Sequence, residues 1–197
     1  MKDYKLKYMS KQVAYSALML ALVYCGTLLG FSSAQFYFNL GDTVILIASA
    51  IFGPFTGMIA GGFGSFFADL TVYPATMMYT LVIKGLEGLI SGLAFQLIRR
   101  YMKDKKISGI LNIVVGLGST LFMALGYFVC QTFMYGSLAG GLVALPWDVL
   151  QAIVSVGISM VVLLKFKLIN YNERIGFMSW IKEKNLVEHN EQVKREI

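Results

Sequence analysis

Charged side chains are scarce in this chain. Only 14% of its 197 residues are Asp, Glu, Lys or Arg, whereas about 25% is usual for a soluble domain. Hydrophobic residues make up 57%, which is more than a water-soluble fold of this size can bury. These proportions leave no room for a soluble catalytic domain and predict an integral membrane protein. The formal net charge of +6 is confined to the ends and one loop, which indicates membrane topology rather than nucleic-acid binding.

Cysteine and histidine are also rare. Cys25 and Cys130 both lie within apolar runs, so we expect two buried, inert thiols rather than a disulfide. His189, the single histidine, lies in a polar tail, and no Cys/His cluster or Ser-His-Asp set can be assembled. We therefore expect no metal site, no cofactor and no enzymatic activity. The chain also lacks a Gly-x-x-x-x-Gly-Lys-Ser/Thr loop, so it does not bind ATP in the usual way.

Six apolar runs predict an all-α integral membrane fold with six transmembrane helices. The basic start followed by an apolar run resembles a signal peptide, but no cleavage site follows, so we interpret it as a retained helix. Pro146 suits a first helical position. The predicted membrane domain covers residues 1–171, and residues 172–197 form a polar cytoplasmic tail. The predicted helices cover residues 11–31, 41–52, 55–70, 74–100, 108–135 and 146–168.

The distribution of basic residues predicts the topology. Lys and Arg precede the first helix and follow the fourth and the sixth, whereas the loops 32–40, 71–73 and 136–145 contain none. The positive-inside rule then places both termini in the cytoplasm. It also brings a set of polar and aromatic residues together at the outer face. This set is Asn39, Asp42, Asp69, Tyr73, Trp147 and Asp148.

A few charges interrupt the apolar region, although each costs roughly 2.5–3.5 kcal/mol near the centre of a bilayer. The most economical reason for keeping them is a polar cavity. Between Gln12 and Ile98, and between Ile107 and Leu164, these charges are Asp42, Asp69, Lys84, Glu87 and Asp148.

Each charge also has a purely structural interpretation. Lys84 and Glu87 are one helical turn apart, so they could form a buried ion pair that locks two helices or could face a cavity. Asp42 and Asp148 fall near predicted helix starts, where a carboxylate can cap its own helix. Asp69 ends its predicted helix, where the dipole disfavours it, so a ligand or gate role is favoured.

Small residues mark another face. Ala14, Ala17 and Ala21 follow Ser10 along one side of the first helix, which could pack within the bundle or dock on another membrane protein. In the third and fourth helices, the pairs Gly57/Gly61 and Gly88/Gly92 have the spacing that lets helices approach closely, and we expect packing within the chain.

Five segments carry a resemblance to a known family. They resemble the S components of energy-coupling factor (ECF) vitamin transporters, the hydroxymethylpyrimidine/pyridoxine type most closely, which is related to the riboflavin type. The Ala17-x-x-x-Ala21 spacing matches that family's motif in the first helix. The segments run from Asn39 to Leu46, Phe52 to Pro54, Gly61 to Leu70, Pro74 to Thr76 and Ile83 to Leu89.

The resemblance implies a membrane subunit that captures a vitamin and docks on an ECF transmembrane coupling protein driven by two cytoplasmic ATPases. It implies a multi-pass protein among the lipids of a cell membrane, typically bacterial. Docking would use Ala14, Ala17 and Ala21. No nucleic acid partner is expected.

From the residues themselves we predict a site in the outer half of the bundle for a flat, polar heteroaromatic ring. Acidic residues outnumber Lys84, which favours an aminopyrimidine or a pyridoxine-like ligand over a strongly anionic one. Two other classes stay open: a self-sufficient secondary transporter or channel with carboxylates that relay protons, and a small membrane enzyme. The predicted site residues are Asn39, Asp42, Asp69, Tyr73, Lys84, Trp147, Asp148 and Gln151, with Glu87 as the partner of Lys84.

Overall fold

The computed structural model describes residues 2–33, 36–166, 168 and 186, and six helices fill most of this part of the chain. Two three-residue strands, β1 (Phe31–Ser33) and β2 (Phe36–Phe38), pair antiparallel before the second helix. The predicted six-helix, all-α architecture is confirmed, with this short ladder as an addition. The polar tail, 172–197, lies outside the described residues apart from Leu186. The helices are α1 (Lys2–Leu28), α2 (Gly41–Phe52), α3 (Pro54–Val72), α4 (Met77–Tyr101), α5 (Lys105–Met134) and α6 (Leu138–Lys165).

Helix α2 is short and central. Four helices, α3 to α6, are long and apolar enough to cross a membrane. With 12 residues, α2 spans about 18 Å, compared with about 30 Å of hydrocarbon. Ten of those 12 residues are buried, so the other helices enclose α2. Its polar groups must therefore find partners inside the protein.

Helices α2 and α4 run in the same direction. Lys84 of α4 contacts Asp42 in the first turn of α2, and Arg99 near the end of α4 donates a 2.7 Å hydrogen bond to the Ala50 carbonyl near the end of α2. Successive helices are joined by short connections and run antiparallel, which gives α6 the same direction as α2 and α4. The polar residues that begin or precede these three helices therefore lie toward one end of the bundle.

The predicted start of α6 at Pro146 is wrong. The helix begins at Leu138, where the Ser137 hydroxyl accepts a 3.2 Å hydrogen bond from the Gly140 amide and caps the first turn. Pro146 lies inside the helix, a position that membrane helices tolerate because neighbouring groups satisfy the freed backbone carbonyl. The predicted starts of α1 at Lys11 and of α4 at Pro74 are also displaced, to Lys2 and Met77.

The two cysteines are free, as expected, but they are not buried. Cys25 is exposed on α1, and Cys130 on α5 is only partly covered. An apolar run in a membrane helix contains both lipid-facing and protein-facing positions, so apolar neighbours do not imply burial inside the protein.

Glycines bring the backbones of α3 and α4 into direct contact. A Cβ atom added at Gly88 would lie 2.1 Å from the Gly57 carbonyl oxygen, and one at Gly92 would lie 2.4 Å from the Pro54 Cα atom. The Ser49 hydroxyl of α2 donates a 3.0 Å hydrogen bond to the Gly88 carbonyl in the same region. The predicted packing role of these glycines is confirmed.

We predict that Gly88→Ala destabilises the protein by about 1–3 kcal/mol, because the new methyl group would collide with backbone atoms that cannot move independently. The matched control is Gly118→Ala in the middle of α5, where a Cβ atom meets nothing within 4 Å. That change should be neutral, or stabilising by up to about 1 kcal/mol through helix propensity. Thermal unfolding of the detergent-solubilised proteins measures both effects, and equal melting temperatures would contradict the prediction.

Candidate functional site

Asp42 is the centre of a buried polar cluster. The first turn of α2 holds its carboxylate at 0% exposure, and both oxygens contact donors from other helices. Oδ1 contacts the Lys84 ammonium of α4, and Oδ2 accepts a 2.6 Å hydrogen bond from the Gln151 amide of α6. Asp42 therefore joins three helices through its side chain.

Gln151 also ties the loop before α2 to the cluster. Its Oε1 accepts a 2.8 Å hydrogen bond from the Asn39 backbone amide. The Asn39 side chain turns back on its own chain, where Oδ1 accepts a 2.9 Å hydrogen bond from the Gly41 amide. Asn39 is only 5% exposed. Its side chain therefore stabilises the start of α2 while its backbone positions Gln151.

Glu87 lies one turn beyond Lys84 and is fully buried. Its Oε2 is 3.7 Å from the Lys84 Nζ, and neither carboxylate oxygen accepts a hydrogen bond from any residue that the structure describes. One ammonium thus serves two buried carboxylates. Lys84 and Glu87 lie within ion-pair distance, as the structural interpretation predicted, but both are on α4, and the contact that joins two helices is the one between Lys84 and Asp42.

A second network lies beside the first. The Asp69 Oδ2 accepts hydrogen bonds from the Thr80 hydroxyl at 2.5 Å and from the Thr76 hydroxyl at 3.0 Å. The Tyr127 hydroxyl of α5 donates to Thr80 at 2.9 Å, and the centre of the Tyr127 ring is 5.5 Å from the Lys84 Nζ. A cation at this distance is attracted by the ring electrons. Tyr127 therefore connects the Asp69 network to the Asp42 cluster.

The structure keeps three predicted site residues away from the cluster centre. Tyr73 follows the end of α3 and is 48% exposed, and Trp147 is 39% exposed on α6. Asp148 lies one turn before Gln151, and its Oδ2 is buried without a hydrogen-bond partner among the described residues. Because α6 begins at Leu138, Asp148 is too far from the helix start to cap it, so the capping interpretation of Asp148 is wrong.

Tyr73 and Tyr135 are neighbours beyond the ends of α3 and α5. Tyr135 follows the end of α5, and the nearby Tyr73 hydroxyl, with partial burial, raises the pKa of its phenol above the ordinary value.

Thr80 and Tyr127 are not among the predicted site residues, and the sequence carries a signal for only one of them. Thr80 is four residues before Lys84 and seven before Glu87, which puts it on the same helical face as both. Tyr127 carries no charge and is one of 11 tyrosines, so nothing distinguished it before its contacts with Thr80 and Lys84 were seen.

The two faces of α1 differ sharply. On the buried face, the Gln12 amide and the Ser16 hydroxyl donate hydrogen bonds of 3.0 and 3.1 Å to the Thr56 hydroxyl of α3. On the opposite face, Ala14, Ala17 and Ala21 are all exposed. The alanine face is therefore not used for packing within the described part of the chain.

A comparison with family models identifies the family of this chain. A family model described as "ECF-type riboflavin transporter, S component" matches residues 7–168. The match covers α2 to α6, nearly all of α1 and every predicted site residue. A curated relative from Pyrococcus woesei, described as "Uncharacterized protein in gap 3'region", is 38% identical over 122 residues, which is 61% of this chain and 76% of the relative.

We predict that Lys84→Met lowers the free energy of unfolding by about 3–5 kcal/mol, because it leaves Asp42 and Glu87 buried without a cation. Asp42→Asn should cost less, since Lys84 keeps Glu87 as a partner. Lys103→Met, at an exposed loop position, serves as the control. Chemical or thermal unfolding in detergent measures the order of the three, and a larger loss for Asp42→Asn than for Lys84→Met would contradict this charge balance.

Proposed function

This chain belongs to the ECF-type riboflavin transporter S-component family, and on that premise we propose that it captures a small vitamin or vitamin precursor for uptake driven by ATP hydrolysis in partner subunits. The family is a transport family rather than an enzyme family, and its members are the substrate-binding subunits of ECF transporters.

The observation that carries the proposal is the Asp42 cluster. Asp42, Lys84 and Glu87 are buried in a membrane protein at a cost that ordinary helix packing does not require. Asp148 adds a carboxylate oxygen that is buried, has no hydrogen-bond partner among the described residues and lies one turn from Gln151. A set of fixed polar groups with spare acceptors, enclosed by apolar helices, has the composition of a small-molecule site.

The charges favour a particular ligand class. Asp42 and Glu87 both pair with the single ammonium of Lys84, and Asp148 lies one turn from Gln151, so carboxylate acceptors outnumber charged donors. We infer that the ligand supplies N–H or O–H donors, as an aminopyrimidine alcohol or a pyridoxine-like ring does. Riboflavin, named in the family's description, is the principal competitor, because it shares a flat nitrogen heterocycle. Trp147 and Tyr73, both partly exposed, would offer ring faces to any of these.

The exposed alanine face of α1 supports a docking role. Ala14, Ala17 and Ala21 leave a shallow surface that another helix could approach closely, while Gln12 and Ser16 hold the opposite face against α3. We propose that this face meets the transmembrane coupling protein, whose two cytoplasmic ATPases supply the energy.

The rival function is a self-sufficient secondary transporter. Its supporting observation is the excess of buried carboxylates, which could relay protons. The two functions differ in reconstituted vesicles. An S component alone binds its ligand without accumulating it, whereas a secondary transporter accumulates it in response to a proton gradient with no ATPase present.

We predict that Asp148→Ala weakens binding of the true ligand by about 1–3 kcal/mol, roughly 5- to 150-fold, because it removes a buried acceptor. Trp147→Ala and Lys84→Ala should also weaken it. Calorimetric titration with pyridoxine, pyridoxamine, 4-amino-5-hydroxymethyl-2-methylpyrimidine and riboflavin measures the affinities. Ile153→Ala, on the exposed face of α6, is the control that should change nothing. Unchanged affinity in all three site variants would show that the ligand binds elsewhere in the protein.

We also predict that Ala17→Trp and Ala21→Trp abolish uptake into vesicles that contain the coupling protein and ATPases, while ligand affinity stays within about twofold. A bulky ring prevents close approach of a partner helix. Leu22→Trp is the control, because Leu22 is 45% exposed but lies about 100° around the helix from Ala21 and about 140° from Ala17. Normal uptake by both alanine variants would show that the stripe faces only lipid.

A further inference from the structure

The Glu87 carboxylate is buried in the protein without the hydrogen bonds that would stabilise it there. It is fully buried, and neither of its oxygens receives a hydrogen bond from the described residues. Buried carboxylates are normally hydrogen-bonded, and each exception calls for an explanation. The only described cation nearby is Lys84, whose Nζ is 3.7 Å from the Glu87 Oε2.

The Asp42 carboxylate, unlike that of Glu87, is held by donors from the protein. Each of its oxygens already contacts a protein donor, Lys84 on one side and Gln151 on the other. Each oxygen could accept a second hydrogen bond, but Asp42 is fully buried, so a ligand donor can reach it only if one of these two neighbours moves aside. Gln151 also holds the Asn39 amide, so its departure would release the loop before α2 as well. Lys84 is the partner that can leave with the smaller rearrangement.

We propose that Glu87 provides a second binding position for the Lys84 ammonium in a switch that the ligand drives. In the unliganded protein the ammonium binds Asp42. When a ligand N–H or O–H group binds Asp42, the ammonium moves to Glu87. This inference rests on the proposed function, because it assigns a role within the same binding site, and it makes Glu87 a positioning residue that need not touch the ligand.

The geometry makes the movement small. A charge-assisted N–H···O hydrogen bond is about 2.8 Å long, so the Nζ needs to travel only about 1 Å toward Oε2. Lysine has a flexible four-carbon stem, and Glu87 is on the same face of α4, so no backbone movement is required. The ring of Tyr127, 5.5 Å from the Nζ, lies beside the ammonium before it moves.

The switch also solves an energetic problem. A lysine displaced from Asp42 without another partner would be a buried, unpaired charge, which is strongly unfavourable. Glu87 provides that partner, so the ligand does not have to compensate for it. The same argument selects the ligand: the group that replaces an ammonium at Asp42 must itself be a donor, such as an amine or a hydroxymethyl group.

A double-mutant cycle tests the switch, with Glu87→Gln and Lys84→Met made singly and together. The probe is whichever of pyridoxine, pyridoxamine, 4-amino-5-hydroxymethyl-2-methylpyrimidine and riboflavin binds the unmodified protein most tightly. We expect Glu87→Gln to weaken its binding about tenfold or more, and to weaken it less than about twofold when Lys84 is already Met. An equal loss in both backgrounds, or no loss in either, would overturn the switch while leaving the proposed function intact. Failure of all four probes to bind the unmodified protein would instead overturn the ligand class on which the switch rests.

A second measurement applies even if Lys84→Met does not fold. The infrared difference spectrum recorded on adding the same probe to the unmodified protein should contain a carboxylate band that Glu87→Gln removes. Asp104→Asn, which alters an exposed carboxylate at the start of α5, should leave that spectrum unchanged. Identical difference spectra for the unmodified protein and Glu87→Gln would overturn the switch.

Discussion

The contact between the Lys84 ammonium and the Asp42 carboxylate is the constraint on which the rest of the buried site depends. Neither charge can be hydrated inside the bundle, so α2 and α4 must run side by side with these residues at the same depth. Gln151 adds α6 to the pair by donating to the other Asp42 oxygen, and the Asn39 amide then fixes the loop before α2. One carboxylate thereby sets the relative positions of three helices and a loop.

The fold was largely predictable because a chain that crosses lipid must satisfy its own backbone hydrogen bonds, which favours long apolar helices. Helices long enough to span the bilayer appear as apolar runs, and every charge within them is conspicuous because it is costly. That is why Asp42, Lys84 and Glu87 can be assigned to one site from the sequence, and Gln151 joins them because it shares a helical face with the charged Asp148. Helix starts were less predictable, since Pro146 is tolerated inside α6 once neighbouring groups satisfy its backbone.

The remainder of the site depends on properties that a single sequence does not carry. Tyr127 and Thr80 are uncharged, so their presence in a membrane helix costs little and draws no attention. Whether an apolar run faces lipid or protein also leaves little trace in composition, which is why Cys25 was expected to be buried and is exposed. Asn39 shows a third limit, because its side chain accepts a hydrogen bond from the Gly41 amide while its backbone amide contacts Gln151.

The glycine contact between α3 and α4 has a consequence for the path of a solute through the protein. The Gly57 carbonyl lies against Gly88, and the Pro54 backbone lies against Gly92, so the two helices touch along their main chains with no side chains between them. Side chains can rotate out of the way of a passing molecule, but backbones in contact can separate only if the whole helices part. Parting these two would also break the hydrogen bond from Ser49 to the Gly88 carbonyl. A solute travelling to Asp42 therefore does not pass through the seam between α3 and α4.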